Sequence, residues 1–443
     1  MDNPYILMLI ALALLAVIDL VVGVSNDAVN FLNSAIGSKA ISIRNIMIIA
    51  SIGVFFGAIT SSGMMEVARK GIFNPEMFMF QDIMFIFMAV MITDILLLDV
   101  FNTLGMPTST TVSIVFELLG AAVVISLIKI SQNDTESFNA IWNYINYEKA
   151  SMIIFGILLS VVVAFSVGAL VQFVSRLIYS FNFEKRPNYI NALFGGFAIT
   201  AITYFIIIKG MKGTPFYVDV KHLIEYNTLL IITGSFLLWT LISQLLITFF
   251  NINILKLIIG IGTFSLAMAF SGNDLVNFVG VPIAAWNSYQ VWETSGISAT
   301  TFSMGVLAQK VPSNVFLLLF AGAIMVVTLW TSSKARNVIK TGIDLSRQGE
   351  GHEKFKPNPL SRLVVRASMG INSGLSYIIP AKTIAFVDSK FQKPVIELPK
   401  DKTYELPAFD MIRASVNLIV AGILISIATS LKLPLSTTYV TFM

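Results

Sequence analysis

The chain is written mostly in long apolar runs, at about 5–24, 45–64, 83–104, 108–130, 150–180, 189–209, 227–250, 254–271, 313–331 and 409–431. Several reach the roughly 20 residues that carry an α-helix across a bilayer. The runs are continuous and not alternating, which excludes a transmembrane β-barrel. The pattern predicts an all-α, polytopic transmembrane helical bundle. Run 150–180 is longer than a bilayer needs and should tilt or protrude. Segments 28–41 and 275–309 are weaker, rich in small residues and interrupted by Gly, Pro or polar positions. They read as re-entrant or discontinuous helices. The stretch 332–406 is polar and basic. It reads as a large loop with some helix along the membrane surface, its charge favouring the cytoplasmic side.

Composition strengthens this picture. Of 443 residues 56% are hydrophobic and 12% charged, against roughly 25% charged in soluble domains. There is no cysteine, so disulfides and thiolate chemistry are excluded. The two histidines, His222 and His352, lie in polar stretches, which argues against a His/Cys metal site or a Ser-His-Asp triad within the membrane. The net charge of +4 sits in loops and points to lipid, not nucleic acid. No Lys or Arg precedes the first apolar run, so it reads as a first span and not a signal peptide, with its N-terminus on the non-cytoplasmic side.

An internal repeat organises the chain. "VSNDAVN" (24–30) is followed by "NTLGMPTSTTVS" (102–113), and "SGNDLVN" (271–277) by "TSLKLPLSTTYV" (429–440). From Asp27 to Ser109 is 82 residues and from Asp274 to Ser436 is 162; the polar loop accounts for most of the excess. The expected divisions are a first repeat at 1–130, connecting helices at 131–250, the start of a second repeat at 251–331, the loop at 332–406 and the end of the second repeat at 407–443. Internal symmetry of this kind marks secondary transporters, whose sites form where repeats meet. The second P-x-S-T-T is followed by only "YVTFM", so the natural polypeptide is expected to continue.

The motifs carry complementary chemistry. Pro107 and Pro434 suit a first helical turn, and the Ser and Thr after them add hydroxyls to free N-terminal amides. Two such termini, 107–111 and 434–438, can bind an anion without Lys or Arg, although plain capping is the alternative for either alone. The Asn-Asp pairs lie in apolar surroundings with no Lys or Arg in the nearby spans. A carboxylate there needs a partner. Carboxylate, Asn amide and backbone carbonyl oxygens form a hard-oxygen set suited to Na⁺. Gly23, Gly272 and Gly280 would let the backbone unwind to supply the carbonyls; a cap on a helix at 28–41 is the other reading. An anion ~6 Å from each ionised Asp, at an effective dielectric of ~20, is repelled by about 3 kcal/mol per pair. Anion binding is thereby tied to a cation or a proton. Asp19, Asp94, Asp99, Glu117 and Glu66 are further intramembrane candidates.

These motifs resemble the inorganic phosphate transporter (PiT) family of sodium- or proton-coupled permeases. "VSNDAVN" and "SGNDLVN" are similar to its G-A-N-D-x-x-N signature, "PTSTTV" and "PLSTTY" to its P-x-S-T-T-H element, and "GMMEVARKGIF" (63–73) to its E-T-x-x-K-G-I segment. The resemblance implies two inverted-topology repeats, a homodimer, and an oxyanion held between the repeats beside Na⁺. By position it assigns Asn26, Asp27, Asn273, Asp274 and Glu66 to Na⁺. Phosphate falls to Asp27, Ser109, Thr110, Thr111, Asp274, Ser436, Thr437 and Thr438. Val24 and Ser271 replace the signature's first Gly, Val112 and Tyr439 replace the His, and Lys340 stands where the family often has Glu.

The expectation is a multi-pass protein of the cytoplasmic membrane, importing phosphate by cation symport through alternating access, with no cofactor beyond the coupling ion. The alternatives are a sulfate or related oxyanion permease, a membrane enzyme acting on phospholipids, and a non-transporting receptor or scaffold.

Overall fold

The structure, a computed structural model, describes residues 3–60, 71–133, 136–181, 186–204, 222, 224, 226–308, 315–349, 355–392, 406–431 and 435–442. Among them the fold is helical. The β-structure described is two isolated bridges, Phe73 with Ile145 and Met79 with Ser303.

The first helix, α1 (Pro4–Gly37), starts with Pro at its first position, while Asn3 accepts the Tyr5 N–H at 3.0 Å. It runs 34 residues, straight through Asn26 and Asp27. Then come α2 (Ile43–Thr60), α3 (Phe80–Thr103), α4 (Thr110–Gln132), the short α5 (Ile141–Tyr144), α6 (Tyr147–Tyr179), α7 (Asn188–Ile202) and α8 (Thr228–Phe250). Helix α9 (Ile254–Ser295) runs 42 residues through Asn273 and Asp274, with Pro282 inside, and ends at Gly296 with φ of +66°. The series closes with α10 (Val315–Thr331), α11 (Ser333–Leu345), α12 (Pro359–Ile378), α13 (Ala381–Phe391), α14 (Met411–Ser430) and α15 (Thr437–Phe442). Among the described residues, seven helices are long and apolar enough to cross a membrane, or eight if α10 and α11 form one span bent by 70°.

This corrects one sequence expectation. Residues 28–37 continue α1 and 275–295 continue α9, so neither Asn-Asp pair starts a helix and the backbone does not unwind there. Two causes are visible. The polar side chains of these stretches find partners within the bundle, so the backbone need not open to serve them. Gly23 serves a close approach instead: a Cβ there would lie 2.1 Å from the Phe278 ring. The break falls at the α10–α11 bend.

Position 23 meets 278, and Phe31 meets Phe270 with ring centroids 5.1 Å apart. Helices α1 and α9 therefore pack antiparallel, with Asp27 and Asp274 at the same level. One apolar core surrounds this crossing and draws in α2, α10, α11 and α14. A second joins the N-terminal part of α1 and the C-terminal part of α9 to α3, α4 and α6. Helix α2 fits closely on α9, where a Cβ at Gly57 would lie 2.3 Å from the Met268 carbonyl oxygen. Helix α11 folds back on α1: the Ser25 and Ser332 hydroxyls are 2.7 Å apart, and Asn33 donates to Ser346 at 3.2 Å. Buried Arg176 at the end of α6 donates to Asp410, ahead of α14, at 2.8 Å.

The polar stretch 332–406 contains α11, α12 and α13. Helix α12 exposes apolar side chains such as Leu363, Met369 and Ile371.

Candidate ion and anion site

Asp27 and Asp274 are each 0% exposed. Asp27 Oδ2 accepts from Thr110 Oγ1 at 2.8 Å and Oδ1 from Asn30 Nδ2 at 3.1 Å, while the Thr438 hydroxyl donates to the Thr108 carbonyl at 2.9 Å and lies 3.5 Å from Asp27 Oδ1. Asp274 Oδ2 accepts from Thr437 Oγ1 at 2.8 Å, while Oδ1 accepts from Thr111 Oγ1 at 3.2 Å and Asn277 Nδ2 at 3.3 Å. The two sets use equivalent residues, with two differences: Asn273 adds a bond to Asp274, and Thr438 approaches Asp27 while bonding Thr108. Each carboxylate accepts from the first Thr of its own S-T-T element and faces the second Thr of the other. Asn30 also donates to Thr438 and Asn277 to Thr111, both at 3.1 Å. The four threonines thus cross-link the halves at their two carboxylates.

Spacing explains the arrangement. Residues three apart share a helix face, so Asn30 sits beside Asp27 and Asn277 beside Asp274. In each S-T-T element the Ser caps the helix: Ser109 accepts the Val112 N–H at 3.3 Å and Ser436 the Tyr439 N–H at 3.1 Å. The Thr side chains that follow are left to face the carboxylates. Ser109 and Ser436 therefore serve the helix starts, and Thr110, Thr111, Thr437 and Thr438 make the carboxylate contacts.

The two Asn-Asp pairs differ. Asn26 is tied to the turn between α3 and α4: it donates to Asn102 at 2.8 Å and to the Met106 carbonyl at 3.1 Å, and accepts the Thr108 N–H at 2.8 Å. Asn273 donates to its neighbour Asp274 at 2.8 Å. Glu66 and Pro434 lie outside the described residues.

The bonds described at both carboxylates come from hydroxyls and amides. Asp99, by contrast, is half-exposed and paired with Lys334 at 2.5 Å, an edge ion pair. Among the described residues no three His, Cys, Asp or Glu side chains group as metal ligands. The oxygens at the crossing are instead two carboxylates, four Thr hydroxyls and Asn amide oxygens. These are hard donors, the class that alkali cations take.

A second acidic group lies up the same helix. Asp19 and Asp94 are both 0% exposed, and their carboxyl groups adjoin. Ser113 bridges Asp94 and Glu117, at 2.7 Å from each. Both Asp19 oxygens, Asp94 Oδ2 and Glu117 Oε2 lack a hydrogen-bond partner. Adjoining buried carboxyls without another donor share a proton between them. A cavity of about 610 Å³ between α3 and α4 is lined by Glu117, Ser113, Ser109, Thr108 and Tyr439, so it reaches both S-T-T elements.

The sequence reading left Asn30, Asn277, Asn102 and Thr441 out of the site. The Thr441 hydroxyl lies 3.3 Å from Asn30 Oδ1, with the Thr437 carbonyl as its shorter acceptor at 3.0 Å. The N-D-x-x-N spacing, present in both copies, was a signal for Asn30 and Asn277. Nothing in the local pattern marks Asn102 or Thr441.

A helical membrane bundle whose buried polar core forms where two like halves cross is of the transporter class. Residues 23–342 match the phosphate transporter family, and the chain belongs to that family. That family consists of transporters, not enzymes. The chain is 26% identical over 202 residues to a putative phosphate permease of Thermococcus kodakarensis, covering 45% of this chain and 44% of the relative. It is 24% identical over 310 residues to one of Pyrococcus horikoshii, covering 67% of this chain and 68% of that one. A Pyrococcus furiosus counterpart is 33% identical over 102 residues, 23% of this chain and 25% of the relative. The first of these matches thus spans less than half of the relative's length. The fold is that of a solved structure described as the sodium-dependent phosphate transporter, with TM-score 0.64 and 18% identity over 98% of this chain and 87% of that one.

Proposed function

We propose that this protein imports inorganic phosphate by symport with Na⁺ across a cytoplasmic membrane, by alternating access between two inverted-topology repeats. The observation that carries the reading is the paired buried carboxylates, each bonded by a Thr of its own half and facing a Thr of the other. Antiparallel packing of α1 and α9, which bear equivalent motifs, supports inverted topology. Asp27 and Asp274 hold Na⁺ with Asn26, Asn273 and Glu66. Phosphate sits among Thr110, Thr111, Thr437 and Thr438, near the capped starts bearing Ser109 and Ser436. Phosphate and two ionised carboxylates repel one another, so each ligand binds best in the company of the other. Thr111 and Thr438 reach the carboxylate of the other half, so rocking one half against the other would exchange these contacts and leave Thr110–Asp27 and Thr437–Asp274 within their own halves.

The Asp19–Asp94–Glu117 group favours a second reading of the coupling, in which a proton takes part, since its unpartnered oxygens have no protein donor. Labelled phosphate uptake into proteoliposomes, with Na⁺ and pH gradients imposed separately, tests both. A Na⁺ gradient alone should drive uptake; uptake indifferent to Na⁺ defeats the primary proposal. Sulfate uptake that excess phosphate leaves undiminished would instead assign the site to another oxyanion. The protein is further proposed to form homodimers, which mass measurement of the purified complex decides.

A further inference from the structure

A groove of about 810 Å³ lies where α1, α2, α10 and α11 meet, away from the paired carboxylates. Its floor is apolar, with Leu32 and Ile36 of α1, Met47 of α2 and Ile339 of α11. Its rim is cationic: Lys39, Arg44, Arg336, Lys340 and Arg347 line it with one acid, Asp344, which accepts from Arg347 at 2.9 Å. Arg336 donates to the Trp330 carbonyl at 3.3 Å. The local fold explains the gathering. The link from α1 to α2 turns at Lys39, with φ of 51°, and sends Arg44 into the first turn of α2. The 70° bend after α10 turns α11 across the end of the bundle, and Ser332 caps it by accepting the Ala335 N–H at 3.1 Å.

The groove is continuous with apolar surface below it. Ile43 is 63% and Trp330 42% exposed at its edge. Beyond them, Ile48, Ile52 and Phe55 of α2 and Val327 and Phe320 of α10 are exposed. A free oxyanion would use the rim and leave that apolar track bare. A neutral lipid would use the track and offer Arg44, Arg336 and Lys340 no counter-charge. An anionic lipid satisfies both features, as basic pockets between transmembrane helices do.

We propose that this groove is a binding site for an anionic glycerophospholipid, its phosphate held by Arg44, Arg336 and Lys340 and an acyl chain laid over Ile43 and the exposed face of α2. The lipid bridges α2 and α11. Because α11 is bonded to α1 through Ser25–Ser332 and Asn33–Ser346, it also braces the helix that carries Asp27.

Trp330 lines the groove and reports on it directly. The test reconstitutes the full chain in vesicles containing brominated phosphatidylglycerol or brominated phosphatidylcholine. A W330F variant isolates the Trp330 share of the fluorescence quenching. The expected result is quenching of Trp330 at about fivefold less phosphatidylglycerol than phosphatidylcholine. The R336Q/K340Q variant should lose this preference, and so should R44Q on the other wall. Equal quenching of the wild type by the two lipids overturns the proposal whatever the variants do. Reversal of the quenching by inorganic phosphate also overturns it, since the occupant would then be a free anion. None of these readings depends on phosphate transport, so the site and the transport function stand or fall separately.

Discussion

Thr437 donates to Asp274 at 2.8 Å in a fully buried setting. Hydrogen bonds to charged groups contribute about 1.5–3 kcal/mol. T437A should therefore weaken Na⁺-dependent phosphate binding about tenfold or more, read by calorimetry on purified protein. T110A, which removes the equivalent bond to Asp27, should do the same, and T437S should recover most of the loss. D27N and D274N should each abolish Na⁺-driven uptake with the fold intact by circular dichroism. Full uptake in both would remove the carboxylates from the coupling mechanism. Asp19 poses a different case, because both its oxygens are unpartnered beside Asp94. An amide there supplies a donor to Asp94 without a second acid. D19N is expected to stabilise the protein by about 1 kcal/mol, seen as a higher unfolding temperature in detergent.

At the scale of elements, the close crossing of α1 and α9 decides the register of the site. A methyl at position 23 collides with the Phe278 ring. G23A should cost about 1–3 kcal/mol by overpacking, and G23A/F278L should recover part of it; thermal unfolding of the two variants measures both. How much of this was legible follows from which signals are local. Apolar run lengths announced the spans, and the duplicated N-D-x-x-N and S-T-T elements announced the paired acids and their hydroxyl partners. Helical continuity through Asn26–Asp27 and Asn273–Asp274 was not legible. Small and polar residues in a membrane segment suit an unwound backbone or a crowded helix crossing equally well, and only the neighbouring helix distinguishes them. The capping role of Ser109 and Ser436 was read correctly as one alternative. Its consequence, that the next two Thr turn to opposite halves, needs both halves in place.

For the molecule as a whole, coupling is a statement about linked equilibria. If Na⁺ raises phosphate affinity, phosphate must raise Na⁺ affinity by the same factor. Independent binding of the two ligands in equilibrium dialysis would end the coupling proposal. Lys39, Arg44, Arg336, Lys340 and Arg347 gather at one end of the bundle, around the groove. By the positive-inside rule we propose that this end faces the cytoplasm. The chain has no cysteine, so K340C is a single reporter, expected to react with an impermeant maleimide only from the cytoplasmic face.

What the sequence determined by itself was the class and the ingredients: a helical membrane protein with two copies of an acidic motif and two of a hydroxyl motif. Hydropathy and short motifs are local properties, readable wherever they stand. The tertiary structure decided which copy serves which. Asp27 and Asp274 become neighbours because α1 and α9 pack antiparallel, and each meets Thr from both halves because the S-T-T turns interleave at that crossing. The same packing left Asp19 facing Asp94 without a donor, and gathered five cations from the α1–α2 junction and from α11 and its C-terminal end around one groove. Distance along the chain carries no information about such meetings; burial against a particular neighbour creates them.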